Sequence, residues 1–186
     1  LGVPVAAHRE VLDRVGGTLA GVPTRELVPD EVFDLDGVTL RAVLTEGHAP
    51  GHLAFLVPER CALLSGDLVS ALSTMLIDPD TGDMEAYLAS LDRAGTLGAK
   101  VLLPSHGPPV PSRALARVRD HRLGRERALL EALGPEPRSL SDLAGQTYAD
   151  TPDAVAFLAE RQTLAHLHRL RNAGHARETD DRWSEA

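Results

Sequence analysis

A disulfide framework, a lysine-rich surface and a membrane-length apolar run are all absent from this 186-residue sequence. Its only cysteine, Cys61, has no partner, which excludes an intrachain disulfide and a cysteine-rich metal cluster. The apolar run Cys61-Ala62-Leu63-Leu64 predicts that this thiol is a buried small hydrophobe. No apolar stretch approaches the roughly 18 residues of a membrane span, and the first residues lack the basic, apolar, small-residue order of a signal peptide. A cytoplasmic chain that contacts no membrane is the expectation. Lysine occurs once, at Lys100, and aromatic residues make up 3%, so the core has to be built from aliphatic side chains.

What is present is unevenly distributed. Residues 1–112 carry 7 Lys and Arg against 15 Asp and Glu, and residues 113–186 carry 12 against 12, which accounts for the net charge of -8. The acidic first part argues against tracking nucleic acid by bulk electrostatics, and a bound divalent cation would offset some of its charge. A boundary near Ser112 is expected, because the grammar of the chain changes there from short strands to long helices.

In the first part, Val3-Pro4-Val5-Ala6 predicts a short strand and His8 to Val15 a helix stopped by Gly16-Gly17. Val32 to Leu40 is two apolar alternations joined at Asp36-Gly37, a pair that accepts positive φ at both turn positions and so predicts a hairpin. Leu53 to Val57 and Ala62 to Leu64 predict a second hairpin around Pro58-Glu59-Arg60. Met84, Tyr87, Leu88, Leu91 and Ala94 are spaced by three and four, a helix that packs on a sheet, and Lys100 to Leu103 is a short strand. In such a mixed α/β layer functional groups belong on loops at strand ends. Three fit: His52 after Pro50-Gly51, Asp67 after Ser65-Gly66, and His106 before Gly107-Pro108. Imidazole and carboxylate on glycine-flanked loops suit zinc, manganese or iron. His8, His121, His166, His168 and His175 read as surface, junction or packing residues; His166 and His168, two apart on a helix, face different ways and cannot jointly grip an ion.

In the second part, Arg113 to Leu133 reads as one long helix, a serine-capped helix starts at Ser139, and Asp153 to Asn172 reads as a third helix ended by Gly174. His175 to Trp183 then predicts a two-stranded wing, which completes a winged-helix pattern.

The stretches "HAPGHLAF", "LLSGDLV" and "LLPSHGPPV" occur in this order in the metallo-β-lactamase superfamily, which the chain resembles up to Pro111. "HRLGRERALLEAL", "LSDLAGQTYAD" and "LAERQTLAHLHRLRNAGHA" are similar to the winged-helix appendage of its endoribonuclease-like, β-lactamase-like hydrolases. The resemblance implies the C-terminal portion of an αββα sandwich over residues 1–112 and a winged helix over 113–186. It implies His52 and His106 as ligands of two zinc ions, with manganese or iron as substitutes, and Asp67 as the group that bridges them and orients the attacking water. His48, Ser65 and Gly107 would support those ligands from behind. The substrate implied is an ester-type bond, either a small-molecule ester or thioester or single-stranded RNA, and the appendage would wall the substrate groove or make a homodimer contact. The family's His-x-His-x-Asp-His motif does not occur in this sequence. Each metal would then keep one histidine and a shared Asp67 where a catalytic zinc usually has three protein ligands. The expectation is therefore a piece of a longer reading frame, inactive alone. A rival from another class is a nucleic-acid-binding winged helix on an inert platform, with Arg161, Arg169 and Arg171 on its recognition helix.

Overall fold

A computed structural model describes residues 3–150 and 156–186. The expected helix start at Asp153 and the first two residues lie outside them. Along the chain run β1 (Val5–Ala7), α1 (Arg9–Val15), β2 (Thr24–Glu26), β3 (Val32–Asp34), β4 (Thr39–Leu44), β5 (Leu53–Val57), a 3-10 turn (Pro58–Arg60), β6 (Ala62–Gly66), α2 (Met84–Gly95), β7 (Val101–Pro104), β8 (Val110–Pro111) and α3 (Arg113–Ala132). They continue with β9 (Arg138–Ser139), α4 (Leu140–Thr147), α5 (Ala156–Asn172), β10 (Ala176–Thr179) and β11 (Arg182–Glu185). The mixed α/β layer followed by a winged helix is as expected.

Strands β3 to β8 form one six-stranded sheet in sequence order. Every neighbour is antiparallel except β6 and β7, whose parallel crossover is supplied by α2. The Asp36-Gly37 turn has positive φ at both residues, and Leu35 and Val38 exchange both backbone hydrogen bonds across it. That geometry matches the right-handed twist of the flanking strands. A separate parallel pair, β1 with β2, joins Val5 to Thr24 through Ala7 to Glu26.

The period-two alternation sorts the sheet into two faces. Val43, Ala54, Leu56, Leu63 and Leu102 point into a cluster closed by Tyr87, Leu88 and Leu91 of α2, Ala114 and Leu115 of α3, and Ala165 of α5. The register places Phe55, Leu64 and Leu103 side by side on the opposite face, where Leu64 and Leu103 are each 39% exposed. Asp83 caps α2 by accepting from the Ala86 N–H at 2.9 Å, which satisfies one of the donors that a helix start leaves free.

The expected boundary at Ser112 falls at the start of α3, yet α3 serves both halves. Its first turns lie in the sheet cluster. Its last, with Leu129, Ala132 and Leu133, lie in a second cluster with Leu143, Leu167, Leu170 and Trp183. The wing has three strands rather than the expected two, because Arg138 and Ser139 pair with β11 as well as starting α4. Cys61 departs from expectation: it ends the 3-10 turn in a left-handed conformation and is half-buried, since the strand begins one residue later. No helix among the described residues is long and apolar enough to cross a membrane.

Candidate functional site

The loops between β4 and β5, after β6, and between β7 and β8 meet at one end of the sheet. Two glycines allow the approach. Gly47 has φ +119, and a Cβ there would sit 2.2 Å from the Tyr87 backbone nitrogen; Gly66 has φ +53, and a Cβ there would sit 2.6 Å from His52 Nε2. Neither position admits a side chain. Tyr87, expected as a core residue, is fully buried and donates its hydroxyl to the Leu68 carbonyl at 2.8 Å, tying α2 to the loop that carries Asp67.

The structure brings His48, His52, Asp67 and His106 together. His52 uses both ring nitrogens on the protein. The Asp67 backbone N–H donates to Nε2 at 3.0 Å, and Nδ1 lies 2.8 Å from Thr45 Oγ1 and 3.1 Å from the Thr45 carbonyl. Because an N–H can only donate, Nε2 must carry the lone pair and Nδ1 the proton, so the ring is neutral. Burial and the neighbouring His48 hold its pKa below the usual 6.5, against the pull of Asp67 and Thr45. His48 is arranged differently. Its Nδ1 lies 2.9 Å from the Leu76 carbonyl, which can only accept, and its Nε2 lies 3.7 Å from Asp67 Oδ2 with no backbone donor upon it. His106, 60% exposed, places Nε2 at 3.3 Å from Asp67 Oδ1.

Ser65 is fully buried with its hydroxyl unpartnered, and its carbonyl accepts from Leu68 N–H at 3.0 Å. Gly107, at φ +91, lets the His106 loop touch Ala71, whose N–H donates to the His106 carbonyl at 3.0 Å. His8 stands at the N-cap position of α1 without a side-chain capping hydrogen bond, and its ring packs on Gly51 of the histidine turn. The sequence reading missed Thr45 and Leu76, which anchor the two imidazoles. Thr45 carries a signal in being a polar residue wedged between a strand and the histidine turn, whereas Leu76 acts through a carbonyl that any residue supplies.

The donor chemistry of this cluster fits a divalent cation. Asp67 Oδ1 is buried and accepts no hydrogen bond, and a buried carboxylate oxygen without a partner is costly unless a cation or water meets it. His48 has its far nitrogen fixed by a carbonyl, the arrangement that orients an imidazole towards a metal. The number of donors falls short: among the described residues no three His, Cys, Asp or Glu groups converge to hold an ion by themselves.

The arginines proposed for a recognition helix are consumed internally. Arg161 pairs with Asp78 and Asp80, Arg169 with Glu85 and Glu126, and Arg171 with Glu178. They form no free basic stripe of the kind a DNA reader presents.

A helix-backed mixed sheet with imidazole and carboxylate loops at one end, continued by a winged helix, defines a β-lactamase-like α/β protein. A sequence model of the metallo-beta-lactamase superfamily matches residues 3–106, and one of the beta-lactamase associated winged helix domain matches residues 139–183. The chain belongs to the metallo-beta-lactamase superfamily. It is 31% identical over 147 residues to a beta-lactamase-like protein 2 homolog of Caenorhabditis elegans, covering 76% of this chain and 48% of that protein. It is 32% identical over 140 residues to an atrochrysone carboxyl ACP thioesterase of Aspergillus fumigatus, covering 72% of this chain and 43% of that one. The chain thus spans less than half the length of these two relatives. Among solved structures, a metallo-beta-lactamase family protein from Thermus thermophilus shares the fold, with a TM-score of 0.79 and 24% identity over 99% of this chain and 72% of that one.

Proposed function

We propose that the chain carries part of the site of a metal-dependent hydrolase that cleaves an ester-type bond, a thioester before a phosphodiester. The observation that carries this reading is the buried Oδ1 of Asp67, which accepts no hydrogen bond and has His106 Nε2 3.3 Å away, while His48 Nε2 lies 3.7 Å from Oδ2. His48, Asp67 and His106 would supply part of the donor set for the metal, zinc first and manganese or iron as substitutes, with further ligands from outside this set. His52 moves from the ligand role expected from the sequence to a supporting one, because its Nε2 is already taken by the Asp67 N–H. It fixes the backbone from which the carboxylate projects.

When bound, such a metal supplies a water of lowered pKa and polarises a carbonyl or phosphoryl oxygen. The chain's own groups orient the donors: Thr45 holds the His52 ring, the Leu76 carbonyl holds the His48 ring, and Tyr87 holds the Asp67 loop. Thioesters are preferred over RNA for two reasons. One relative is named a thioesterase, and the arginines described on α5 are spent on Asp and Glu partners, leaving no basic track for a phosphate backbone along the described part of that helix.

The test loads the purified chain with Zn2+, Mn2+ or Fe2+ and offers short acyl thioesters of N-acetylcysteamine, the matching oxygen esters, and a single-stranded oligoribonucleotide. Metal uptake, with any thioester cleavage, that disappears in His48→Ala and Asp67→Asn supports the reading. Metal uptake that is unchanged in both variants overturns it, and turnover of RNA alone reverses the substrate order.

A further inference from the structure

A cleft of about 350 Å3 opens between residues 73–76, which form no helix or strand, and the helices α3 and α5, with Tyr148 also on its wall. Pockets that take small organic ligands begin at about this size. Met75, Leu76, Leu158 and Ala159 give it apolar walls. Among its polar groups, Arg122, Tyr148 and Gln162 each carry a buried atom that meets no hydrogen-bond partner: Arg122 Nε, the Tyr148 hydroxyl and Gln162 Nε2. Buried polar groups are nearly always paired, so three unpaired ones around a single cleft require an explanation.

All three can donate. A guanidinium N–H has no lone pair to offer. Gln162, 5% exposed, is fixed by its neighbour: the Ile77 N–H can only donate and lies 3.2 Å from Oε1, so the oxygen faces Ile77 and the NH2 group is left over. The Tyr148 hydroxyl completes the set as a third donor. Charge is unbalanced as well. Arg122 is 1% exposed, its Nη2 donates to the neutral Met75 carbonyl, and among the described residues no carboxylate pairs with it. Arg125, on the same wall, is satisfied by Asp150 and by the Thr147 carbonyl at 2.7 Å. A buried guanidinium that meets only a carbonyl and the Tyr87 ring, whose centre lies 5.6 Å from Cζ, is costly until an anion joins it.

We propose that this cleft binds a small organic monocarboxylate, with Arg122, Gln162 and Tyr148 donating to its head group and the apolar walls taking its hydrocarbon body. A carboxylate offers about four lone-pair sites to the three donors, and its single charge matches the single guanidinium. A phosphate monoester carries nearly two charges at neutral pH, and the second would stay buried without a counterion. An inorganic anion would leave the apolar walls unused. The cleft adjoins the loops at the strand ends: Ser73, Thr74 and His121 also line a second cleft bounded by Ala71, whose N–H donates to the His106 carbonyl at 3.0 Å. No metal takes part in this binding, so it stands or falls apart from the hydrolase reading.

The experiment titrates the full chain, freed of metal by a chelator, with octanoate in a calorimeter at neutral pH, beside octanol, acetate and octyl phosphate. Octanoate should bind with one-to-one stoichiometry, and the other three at least about 10-fold more weakly, because each lacks the charge, the body or the matching head. Arg122→Met, which keeps the apolar stem and removes the charge, should abolish binding. Gln162→Leu and Tyr148→Phe, each short of a single donor to a charged group, should weaken it by about 10-fold. Arg127→Met, on the exposed side of the same helix, should change nothing. If Arg122→Met does not fold, the losses in Gln162→Leu and Tyr148→Phe decide. Octanoate bound equally by the wild type and these variants, octanol bound as tightly as octanoate, or no binding to the wild type overturns the proposal. Octyl phosphate bound more tightly than octanoate overturns the choice of head group.

Discussion

His52→Ala should cost far more stability than His48→Ala, although the two residues are four apart in one turn. His52 accepts the Asp67 N–H at 3.0 Å and pairs through Nδ1 with Thr45. Losing those two hydrogen bonds costs about 1 kcal/mol each, and leaving the Asp67 N–H unsatisfied adds roughly 1 kcal/mol or more, for a total near 3 kcal/mol. For a chain of this size that corresponds to a fall in Tm of about 6–12 °C. His48 gives up a single bond to Leu76, whose half-buried carbonyl water can reach, so His48→Ala should cost about 1 kcal/mol or less. The assay is urea denaturation in the presence of a chelator, so that bound metal adds nothing to stability. Metal retention should run the other way, with His48→Ala losing Zn2+ outright and His52→Ala weakening it by about 10–100-fold. Equal stability losses, or a His48 variant that keeps its metal, would refute the division of roles.

Three further outcomes are expected. Gly47→Ala, which drives a Cβ to 2.2 Å from the Tyr87 nitrogen at φ +119, should abolish folding as judged by circular dichroism; Gly124→Ala, mid-helix with open space around it, should instead raise stability by about 0.5–1 kcal/mol in urea titrations. Burial holds His166 below its usual 6.5, against the pull of Glu126, while hydrogen bonds from His166 and Arg169 outweigh burial and hold Glu126 below 4.5. Both lowered values mean that the folded state binds fewer protons than the unfolded one, so stability is full at neutral pH and lost on acidification, first below about 6.5 through His166. His166→Gln should flatten the urea midpoint between about pH 7 and pH 5.5, and an unchanged slope counts against the assignment. A labelled DNA duplex should show no salt-dependent shift with the chain, since the arginines of α5 are already paired; a steep salt dependence in a mobility assay would revive the nucleic-acid reading.

Where the chemistry is local, the sequence was enough. Asp36-Gly37 announces its hairpin because positive φ is a property of those two residues, and α2 announces itself because its buried face repeats within three turns. The loops bearing Asp67 and His106 were legible from their glycines. Roles that depend on distant partners were not. His48 and His52 look alike in "HAPGH", and what separates them is a carbonyl 28 residues downstream and an N–H 15 residues downstream. Cys61 looked like strand interior because its apolar neighbours hide a left-handed turn. Arg161, Arg169 and Arg171 looked free because their acidic partners, from Asp78 and Glu85 to Glu126, lie on other elements or the far side of a turn. The parallel pairing of β1 with β2 had no local signature at all.

Helix α3 also has a mechanical consequence. Its 20 residues make a rod of about 30 Å without proline, one end embedded in the sheet cluster and the other in the winged-helix cluster. A rod anchored at both ends can bend but cannot swivel, so the two halves turn through space together rather than opening about a joint. Probes placed near Arg113 and Ala132 should keep a constant separation whatever occupies the site, and any gating of access is left to the short loops at the strand ends.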